Sequence, residues 1–577
     1  MSDSDEQLQP LIAAYAGRGR DALLPVLWDV QTAQGYISAA AVRQISHCLR
    51  VPEADIYGVI SFYSLFYEQP SGEIILRVCG DPSCALQGSD ECMAALRERL
   101  SLNGKDVTAD GQYRLERAPC LGLCEHAPAA LVTRRGAGER AVAPIRSSRE
   151  LLSAAQAEFP SDVPYPQLLG EERHTLLQDA ESSAAVIAPT ASDYAALRHA
   201  IQELTPEEVI ERVADSGLVG RGGAAFPTGV KWRGARFPQD GRPRYVICNA
   251  DESEPGTFKD RALMETRPHL ILEGLALAAY ASGAKRGYFF IRGEYPHAQR
   301  RIEEAIAAAE ASGMLGTNIA GSDFSLHIEV RRGAGAYICG EETALFEAIE
   351  GKRGFPRMKP PYPTTHGLFQ QPTICNNVET LACVPGIVLN GPQWFRGWGS
   401  ERSPGSKLLC VSGHVERPGV YEINPGIRLR DFLEGPCGGV IGELQTVLMG
   451  GAAGTFLTPA EIDVSLTFEA LWDIGSTFGS GAVFVCNDTV DLRDVLQRLA
   501  HFFQHESCGK CFPCQLGTQR QLEILLREEP LPGDASRLQD IGWTMTESSL
   551  CGLGHTAASA LLSAMERWPA LFAAEGK

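Results

Sequence analysis

The chain contains 577 residues, of which 44% are hydrophobic and 21% are charged, and it carries a formal net charge of −19. A chain of this length is too long for one hydrophobic core and should fold into about four domains of ordinary globular composition. The negative charge argues against binding to nucleic acid, because the phosphates would be repelled.

The cellular location can be predicted from the N-terminus and the apolar stretches. Residues 1–7 are acidic and polar, with neither the basic nor the apolar region of a secretory signal. No stretch offers the ~18 apolar residues that a membrane span needs. We therefore predict a cytoplasmic protein, in which the 17 cysteines stay reduced and clustered ones bind metal.

The first 158 residues change from a helical to a strand-rich pattern. Apolar residues recur at a spacing near 3.6 in an N-terminal helical segment, residues 1–70. A second domain, residues 71–158, begins with a predicted strand at 73–79 and contains a predicted helix at 90–100. The helices predicted in the first segment are 21–34, 39–49 and 54–67.

Two cysteine pairs lie on predicted loops of the second domain. Cys79 and Cys84 are separated by four residues just past the strand, and Cys120 and Cys124 are separated by three. Two pairs of thiolates suit a [2Fe–2S] cluster, in which each pair holds one iron. A zinc site or a redox disulfide is the alternative on spacing alone.

A larger α/β region, residues 190–400, follows a proline-containing linker at 159–189. It holds a glycine-rich loop, residues 219–232, whose backbone N–H groups could approach a phosphate. The loop is not a dinucleotide-binding fingerprint, because a predicted helix at 206–217 precedes it where that motif requires a strand.

Three more polar segments of this region could line the same pocket. Two of them come after predicted strands at 244–247 and 325–331, where α/β proteins place ligands. Each segment alone could be a capped turn, but all of them together, beside two metal sites, indicate a cofactor pocket. The three segments are residues 248–261, 333–343 and 376–380.

The C-terminal part contains a second set of clustered cysteines. Short β-rich runs and Pro-Gly turns predict a β-grasp-like domain at 401–490, and a helical domain at 491–577 follows. The helical domain carries a C-x2-C-x2-C run and one distant cysteine, which suit the four corners of a [4Fe–4S] cluster. Zinc prefers two separated pairs and fits this spacing poorly. The four cysteines are Cys508, Cys511, Cys514 and Cys551.

These segments together resemble the flavoprotein subunit of the NADH dehydrogenase module found in respiratory complex I, NAD-reducing hydrogenases and NAD-linked formate dehydrogenases. Residues 1–155 resemble the thioredoxin-like [2Fe–2S] subunit of that module, here fused to the flavoprotein subunit. The resemblance implies a multidomain α/β fold. Its parts would be N-terminal helices, a thioredoxin-like domain, an FMN-binding α/β domain, a β-grasp-like domain and a C-terminal helical bundle.

The resemblance also implies FMN and NAD(H) as further cofactors, and it assigns residues to each. Two positions depart from the family pattern: Ala225 stands where glycine is usual, and Tyr362 replaces a phenylalanine. The residues implied to hold FMN are Gly220, Gly222, Lys231, Asn249, Asp251, Glu252, Tyr337, Gly340, Glu341, Asn376, Asn377 and Thr380. Those implied to contact NADH are Phe226, Glu254, Glu342, Lys359 and Tyr362.

The implied activity is hydride exchange between NAD(H) and FMN, followed by one-electron transfer through the clusters, with no catalytic acid–base residue. The fused architecture favours a soluble NAD-linked formate dehydrogenase or hydrogenase. The flavoprotein subunit of complex I is the alternative, and a non-catalytic ligand-binding or scaffold subunit is an alternative of another class. The expected partners are iron–sulfur subunits and substrate-oxidising or quinone-linked subunits.

Overall fold

The strands of the chain form three sheets, each in a different part of the sequence. The computed structural model describes residues 3–159, 165–170, 175–178, 180, 188–190, 192–237 and 240–573. Within these residues, one four-stranded sheet lies at 74–142 and a second at 245–377, and a six-stranded sheet lies at 407–487 with one strand from 168–169. The prediction of a multidomain α/β fold is confirmed.

The N-terminal segment is helical, and one predicted helix is shorter than expected. The expected helix at 54–67 ends at Ile60, because the residues after it bond to another segment instead. The backbone N–H of Ser64 donates to the carbonyl of Gly335 (3.1 Å), and that of Leu65 donates to the carbonyl of Ala334 (3.0 Å). The helices are Asp3–Ala13, Leu23–Gln34, Ala39–Leu49 and Glu53–Ile60, with a 3-10 turn at Arg20–Ala22.

The thioredoxin-like part is built around β1 (Ile74–Cys79), all of whose residues are buried. It pairs in parallel with β2 (Tyr113–Ala118) and antiparallel with β3 (Ala130–Arg134), which pairs with β4 (Gly138–Val142). Because β1 ends at Cys79, that cysteine lies at the carboxyl end of a central strand. The helices of this part are Pro82–Ala85, Ser89–Arg99 and Ser148–Gln156.

The central part contains a sheet of four parallel strands, β6 (Tyr245–Ala250), β7 (Arg286–Ile291), β8 (His327–Arg332) and β9 (Thr373–Asn377). The expected strand at 244–247 is longer than predicted, so Asn249 lies on β6 and does not follow it. The helices around this sheet are Ala195–Glu203, Pro206–Asp215, Thr228–Arg236, Lys259–Thr266, Pro268–Ser282, Pro296–Ala311, Glu342–Ile349, Pro363–His366, Val378–Asn390 and Pro392–Arg396.

The third sheet is β-grasp-like, as predicted. Its first and last long strands, β10 (Lys407–Gly413) and β14 (Ala482–Asn487), lie parallel at the centre. Strand β11 (Gly419–Ile423) pairs with β10, and β12 (Leu444–Met449) pairs with both β14 and β13 (Thr455–Leu457). The two helices of this part are Leu429–Glu434 and Phe468–Asp473.

Part of the predicted linker joins this sheet. Strand β5 (Leu168–Leu169) pairs in parallel with the edge strand β11. On β11, the buried carboxylate of Glu422 accepts hydrogen bonds from the backbone N–H groups of Leu176 and Leu177. Within the predicted linker, residues 160–164, 171–174, 179 and 181–187 lie outside the described residues.

The C-terminal part is helical, as predicted. Its helix Leu492–Glu506 is amphipathic and ends two residues before the first cysteine of the C-x2-C-x2-C run. In the described part of the chain, no helix is long and apolar enough to cross a membrane. The remaining helices are Phe512–Leu525, Asp534–Ser548, Gly552–Thr556 and Ser559–Arg567.

Close packing of two central helices can be tested at Gly274. A Cβ atom at this position would lie 2.0 Å from the carbonyl oxygen of Leu381 on helix Val378–Asn390. We expect Gly274→Ala to lower the free energy of unfolding by about 1–3 kcal/mol, because two backbones must separate. The melting temperature followed by circular dichroism will measure the loss.

Gly234→Ala is the matched control for this substitution. Gly234 lies inside helix Thr228–Arg236, and an added Cβ there meets its nearest neighbour, Thr364, at 3.4 Å. The extra methyl should leave stability unchanged or raise it by up to about 1 kcal/mol. Equal destabilisation by both substitutions would contradict the close crossing at Gly274.

Candidate functional site

The polar segments predicted from the sequence meet at the carboxyl edge of the parallel sheet. Asn249 on β6 lies in register with Asn377 on β9, and β8 ends at Arg332, directly before residues 333–343. Ligands bind at this edge in open α/β sheets, because the loops that leave neighbouring parallel strands converge there. The amide of Asn249 donates to the carbonyl of Gly340 (2.8 Å), which joins two of the segments.

The glycine-rich loop is attached to the same edge. The backbone N–H of Arg221 donates to the hydroxyl of Thr380 (2.8 Å). A Cβ at Gly222 would lie 3.1 Å from the Cβ of Asn377, so the loop approaches the end of β9 closely. Among the residues of the loop, Gly222, Gly223 and Ala224 are exposed, which leaves their backbone accessible to a phosphate.

Ala225 adopts a backbone conformation that normally favours glycine. Its φ is +50°, and a Cβ in the left-handed region costs roughly 1–2 kcal/mol. The adjacent backbone is held by a hydrogen bond from Gly220 N–H to the carbonyl of Phe226 (2.9 Å). The departure from glycine noted in the sequence therefore places a methyl group on a strained turn of the loop.

Two lysines and two glutamates form a charged chain beside the loop. Glu342 bonds to Lys231 through one oxygen and to Lys359 through the other, each at 3.0 Å. Burial opposes ionisation of Glu342, but the two ammonium groups outweigh it and lower its pKa. Lys359 also reaches Glu341 (2.8 Å), whose other oxygen caps the helix Glu342–Ile349 through the N–H groups of Thr343 and Ala344.

The acidic residues after β6 have different surroundings. Burial raises the pKa of Asp251 to about 7 and that of Glu252 to about 8. The carboxylate of Glu252 accepts hydrogen bonds from the N–H groups of Asp260 (2.8 Å) and Arg261 (2.9 Å). These donors open the helix Lys259–Thr266, so the carboxylate satisfies a helix N-terminus.

Glu254 and Tyr337 connect this site to the β-grasp part. Glu254 accepts a hydrogen bond from the phenol of Tyr337 and another from the N–H of Ala453 (2.8 Å). Burial raises the pKa of Glu254. Of the two aromatics assigned to NADH, Phe226 is 50% exposed and Tyr362 is 59% exposed, so both rings are available for stacking.

The four C-terminal cysteines line one small cavity, together with Ile338 from the segment at 333–343. Burial raises the pKa of Cys514 to about 12 and that of Cys551 to about 11. Thiolate ligands on several sides of a cavity fit a [4Fe–4S] cluster, whose binding must displace these protons.

The N-terminal cysteine pairs also come together. Cys79, Cys84 and Cys124 line one cavity, and the sulfur of Cys120 lies 3.4 Å from that of Cys124. Among the described residues, no three Cys, His, Asp or Glu side chains converge as ligands of a single metal ion. Three of the four thiols line the cavity and the fourth lies beside them, which is the arrangement that a [2Fe–2S] cluster requires.

The structure adds residues that sequence reasoning missed. Trp232 donates from its indole N–H to Asn376 (2.8 Å), and Asn377 donates to Asp260. Behind these amides, buried Glu379 bonds to Lys407 (2.7 Å) and Lys259 (3.0 Å). Glu379 lies in the same polar segment as the two asparagines. Its partners Lys407 and Lys259 are more than 25 residues away in the sequence, so no local pattern predicts these ion pairs.

Three family models match separate parts of the chain. Residues 8–146 match a family model described as thioredoxin-like [2Fe–2S] ferredoxin. Residues 213–386 match the Nuo51 FMN-binding domain, and residues 494–575 match the NADH-ubiquinone oxidoreductase-F iron-sulfur binding region. Both cysteine sets and all of the segments assigned to FMN lie inside these matches.

Relatives and solved structures extend this result to the whole chain. The chain is 34% identical over 584 residues to the NAD-reducing hydrogenase HoxS subunit alpha of Cupriavidus necator, covering 98% of this chain and 94% of that protein. It is 48% identical over 387 residues to an NADH-quinone oxidoreductase subunit of Rhizobium meliloti, covering 66% of this chain and 91% of that protein.

A solved structure described as an NAD⁺-reducing [NiFe]-hydrogenase in the H2-reduced state matches with a TM-score of 0.84 at 32% identity. The match covers 95% of this chain and 91% of that chain. The expected cofactors, FMN, one [2Fe–2S] and one [4Fe–4S] cluster, agree with the three matched models. The chain therefore belongs to the family of NADH dehydrogenase flavoprotein subunits with an FMN-binding domain and an iron–sulfur region, here fused to a thioredoxin-like [2Fe–2S] ferredoxin.

Proposed function

We propose that the chain is the NAD(H)-reacting subunit of a cytoplasmic multisubunit oxidoreductase and that it exchanges electrons with partner subunits through its clusters. When bound, FMN accepts or donates hydride and converts a two-electron reaction into single-electron steps. The observation that carries the proposal is the convergence of four polar segments at one sheet edge, two of which also line a cysteine cavity.

The residues of the glycine loop and of β6 and β9 are proposed to hold FMN. Gly222 presents its backbone to the phosphate, and Lys231 neutralises part of the phosphate charge. Gly220 shapes the loop, because its N–H donates to the carbonyl of Phe226 (2.9 Å). Asn249, which bonds to Gly340 (2.8 Å), would orient the segment at 333–343 for FMN binding. For Glu252 we propose a positioning role, because its oxygens already accept two helix N–H groups. The remaining residues proposed to line the FMN pocket are Asp251, Tyr337, Gly340, Glu341, Asn376, Asn377 and Thr380.

The more exposed residues are proposed to hold NAD(H). Phe226 and Tyr362 offer ring faces for stacking, and Lys359 offers a cation to the phosphates. Glu342 keeps Lys231 and Lys359 in place, with both distances at 3.0 Å. Stacking and exclusion of water are then the main tasks of the protein, since hydride transfer needs no acid or base.

Net NAD⁺ reduction, with electrons supplied by a partner that oxidises hydrogen or formate, is the direction we propose. The fused layout supports it, because the full-length relative is a subunit of an NAD-reducing hydrogenase. The second candidate is NADH oxidation toward a quinone, which the 48% identity to the NADH-quinone oxidoreductase relative favours. That relative aligns with only 66% of this chain, whereas the hydrogenase relative aligns with 98%. The fused layout therefore favours the first candidate.

The proposal predicts a coloured, active chain. Anaerobically reconstituted protein should be yellow-brown, contain FMN and iron, and reduce a one-electron viologen dye with NADH. A colourless chain without dye reductase activity would instead identify a scaffold subunit. Purified with its native partners, the complex should reduce NAD⁺ with hydrogen or formate, whereas exclusive quinone reduction by NADH would select the second candidate.

The proposed role of Glu342 predicts a selective loss of NADH binding. Glu342→Gln keeps the size but removes the charge shared by Lys231 and Lys359. We expect the KM for NADH to rise by about 10–100-fold, the equivalent of one or two charge-assisted hydrogen bonds, while FMN content is retained. Steady-state NADH–dye kinetics and flavin absorbance will measure both.

The control for Glu342 is Glu211→Gln, which removes one partner of an exposed ion pair with Arg233 (2.7 Å). Exposed pairs contribute little, so its KM should match that of the wild type. Loss of FMN from a folded Glu342→Gln protein would show that this residue holds the flavin and that its proposed role is wrong.

The two cysteine sets predict separate spectroscopic losses. Cys551→Ser should abolish the [4Fe–4S] signal in low-temperature EPR of the reduced protein and leave about 2 iron atoms per chain. Cys84→Ser should remove only the [2Fe–2S] signal and leave about 4. Cys92→Ser, at a half-buried cysteine outside both cavities, is the control and should keep both signals. An unchanged spectrum for Cys551→Ser would refute the ligand assignment.

A further inference from the structure

A cavity of about 350 Å³ lies where the N-terminal helices, the thioredoxin-like sheet and the central part meet. None of the residues assigned to FMN, NAD(H) or the clusters lines it. Pockets for small molecules have volumes of about 300–1,000 Å³, so this one could hold a ligand of the size of a nucleotide. We name it the arginine cavity after the five arginines in its wall: Arg77, Arg134, Arg135, Arg300 and Arg332.

The charge of the arginine cavity is opposite to that of the protein. Among the described residues, only two carboxylates, Glu73 and Glu139, line it beside the five arginines, although the chain carries a formal net charge of −19. Arg135 pairs with Glu73 (2.8 Å) and Arg332 pairs with Glu139. These two pairs use up both carboxylates of the wall, and Arg77 pairs with Glu116, so Arg134 and Arg300 give the cavity its net positive charge.

The three remaining arginines have different bonding partners. Arg77 is only 5% exposed, and its donors are occupied by Tyr67, by Thr133 and by an ion pair with Glu116 (3.3 Å), so it orders the wall and does not offer an open fork. Arg134 donates to backbone carbonyls at the end of helix Ser148–Gln156. These bonds orient the guanidinium but do not neutralise its charge. Arg300 is exposed on helix Pro296–Ala311.

An aromatic side chain completes the wall. The guanidinium of Arg332 lies 3.7 Å from the centre of the Trp28 ring, a cation–π contact that fixes the planar group. Trp28 therefore holds Arg332 in the wall and does not donate to a ligand, because its indole nitrogen is fully buried.

We propose that the arginine cavity binds a phosphate-bearing small anion of the nucleoside di- or triphosphate class. Arginine forks match phosphate oxygens in pairs, which a compact ammonium group cannot do. The site is joined to both cofactor regions, since Arg77 lies on β1 two residues before Cys79 and Arg332 ends β8 just before residues 333–343. A ligand here contacts the strands that lead to the [2Fe–2S] and FMN sites without occupying either.

Calorimetric titration of the reconstituted full-length chain with ATP and with tripolyphosphate tests the proposal, in the presence of saturating NADH. We expect one site per chain for both probes, with an affinity that falls as salt concentration rises. Arg300→Glu, an exposed charge reversal, should weaken binding at least tenfold, and Arg135→Gln should weaken it less. Arg97→Gln, at an exposed ion pair with Asp106 (3.7 Å) outside the cavity, should bind as the wild type does.

Several outcomes would overturn the proposal. Absence of binding to the wild-type chain, or equal binding by Arg300→Glu, would exclude an anion site in this cavity. Loss of binding when NADH is present would place the probe at the nicotinamide site instead. Binding to the chain alone but not to the complex with its partners would show that a partner subunit covers the cavity. The titration does not depend on NADH–dye activity, so its failure is distinct from failure of the proposed function.

Discussion

The side chain of Arg292 joins the loop of the [2Fe–2S] cysteines to the segment that follows β6. Its guanidinium donates to the carbonyl of Cys120 (2.8 Å) and to that of Glu252 (2.7 Å), and it also pairs with Glu294 (3.2 Å). The group is only 3% exposed, and a buried charge is tolerated only when its donors are satisfied. The two carbonyls must therefore stay where they are, which sets the position of the thioredoxin-like part relative to the central sheet.

A second set of bonds continues from this segment toward the other cluster. Glu254 accepts from the phenol of Tyr337, and the backbone N–H of Tyr337 donates to Glu506 (2.9 Å). Glu506 ends the helix Leu492–Glu506, two residues before Cys508. Hydrogen bonds thus run from one cysteine loop through the segments assigned to FMN to the other cysteine loop. Electron transfer between bound groups depends on their separation, and such a bonded frame keeps that separation constant.

Local patterns of the sequence were sufficient to predict many elements but not the contacts between them. The helix Ala39–Leu49 and the strand Ile74–Cys79 were predictable because their periodicity and caps are local. The spacing predicted that the cysteines of each set come together, but for the N-terminal pairs it left a zinc site or a redox disulfide as alternatives. The end of the helix at Ile60 was not, because the residues that follow it bond to Ala334 and Gly335, far away in the sequence.

Side-chain roles were harder to predict than the location of the site. The sequence and the resemblance indicated Glu252 as part of a ligand-binding segment, and the structure does place that segment at the sheet edge. Its carboxylate, however, accepts from the N–H groups of Asp260 and Arg261, which lie in the same segment but eight and nine residues later. Spacing of this kind has no sequence signature, since it depends on how a loop folds back onto a helix end.

The buried charges behind β9 show why the site edge can be both polar and rigid. Burial opposes ionisation of Glu379, but Lys407 and Lys259 outweigh it and lower its pKa to about 2. Lys259 also reaches Asp260 (2.7 Å), which accepts from Asn377 at the end of β9. Removing Glu379 would leave the buried ammonium group of Lys407 without its carboxylate partner, at a cost of several kcal/mol. The ends of β9 and of the helix Lys259–Thr266 are therefore held together by charge, and the amide of Asn377 stays at the sheet edge in one orientation.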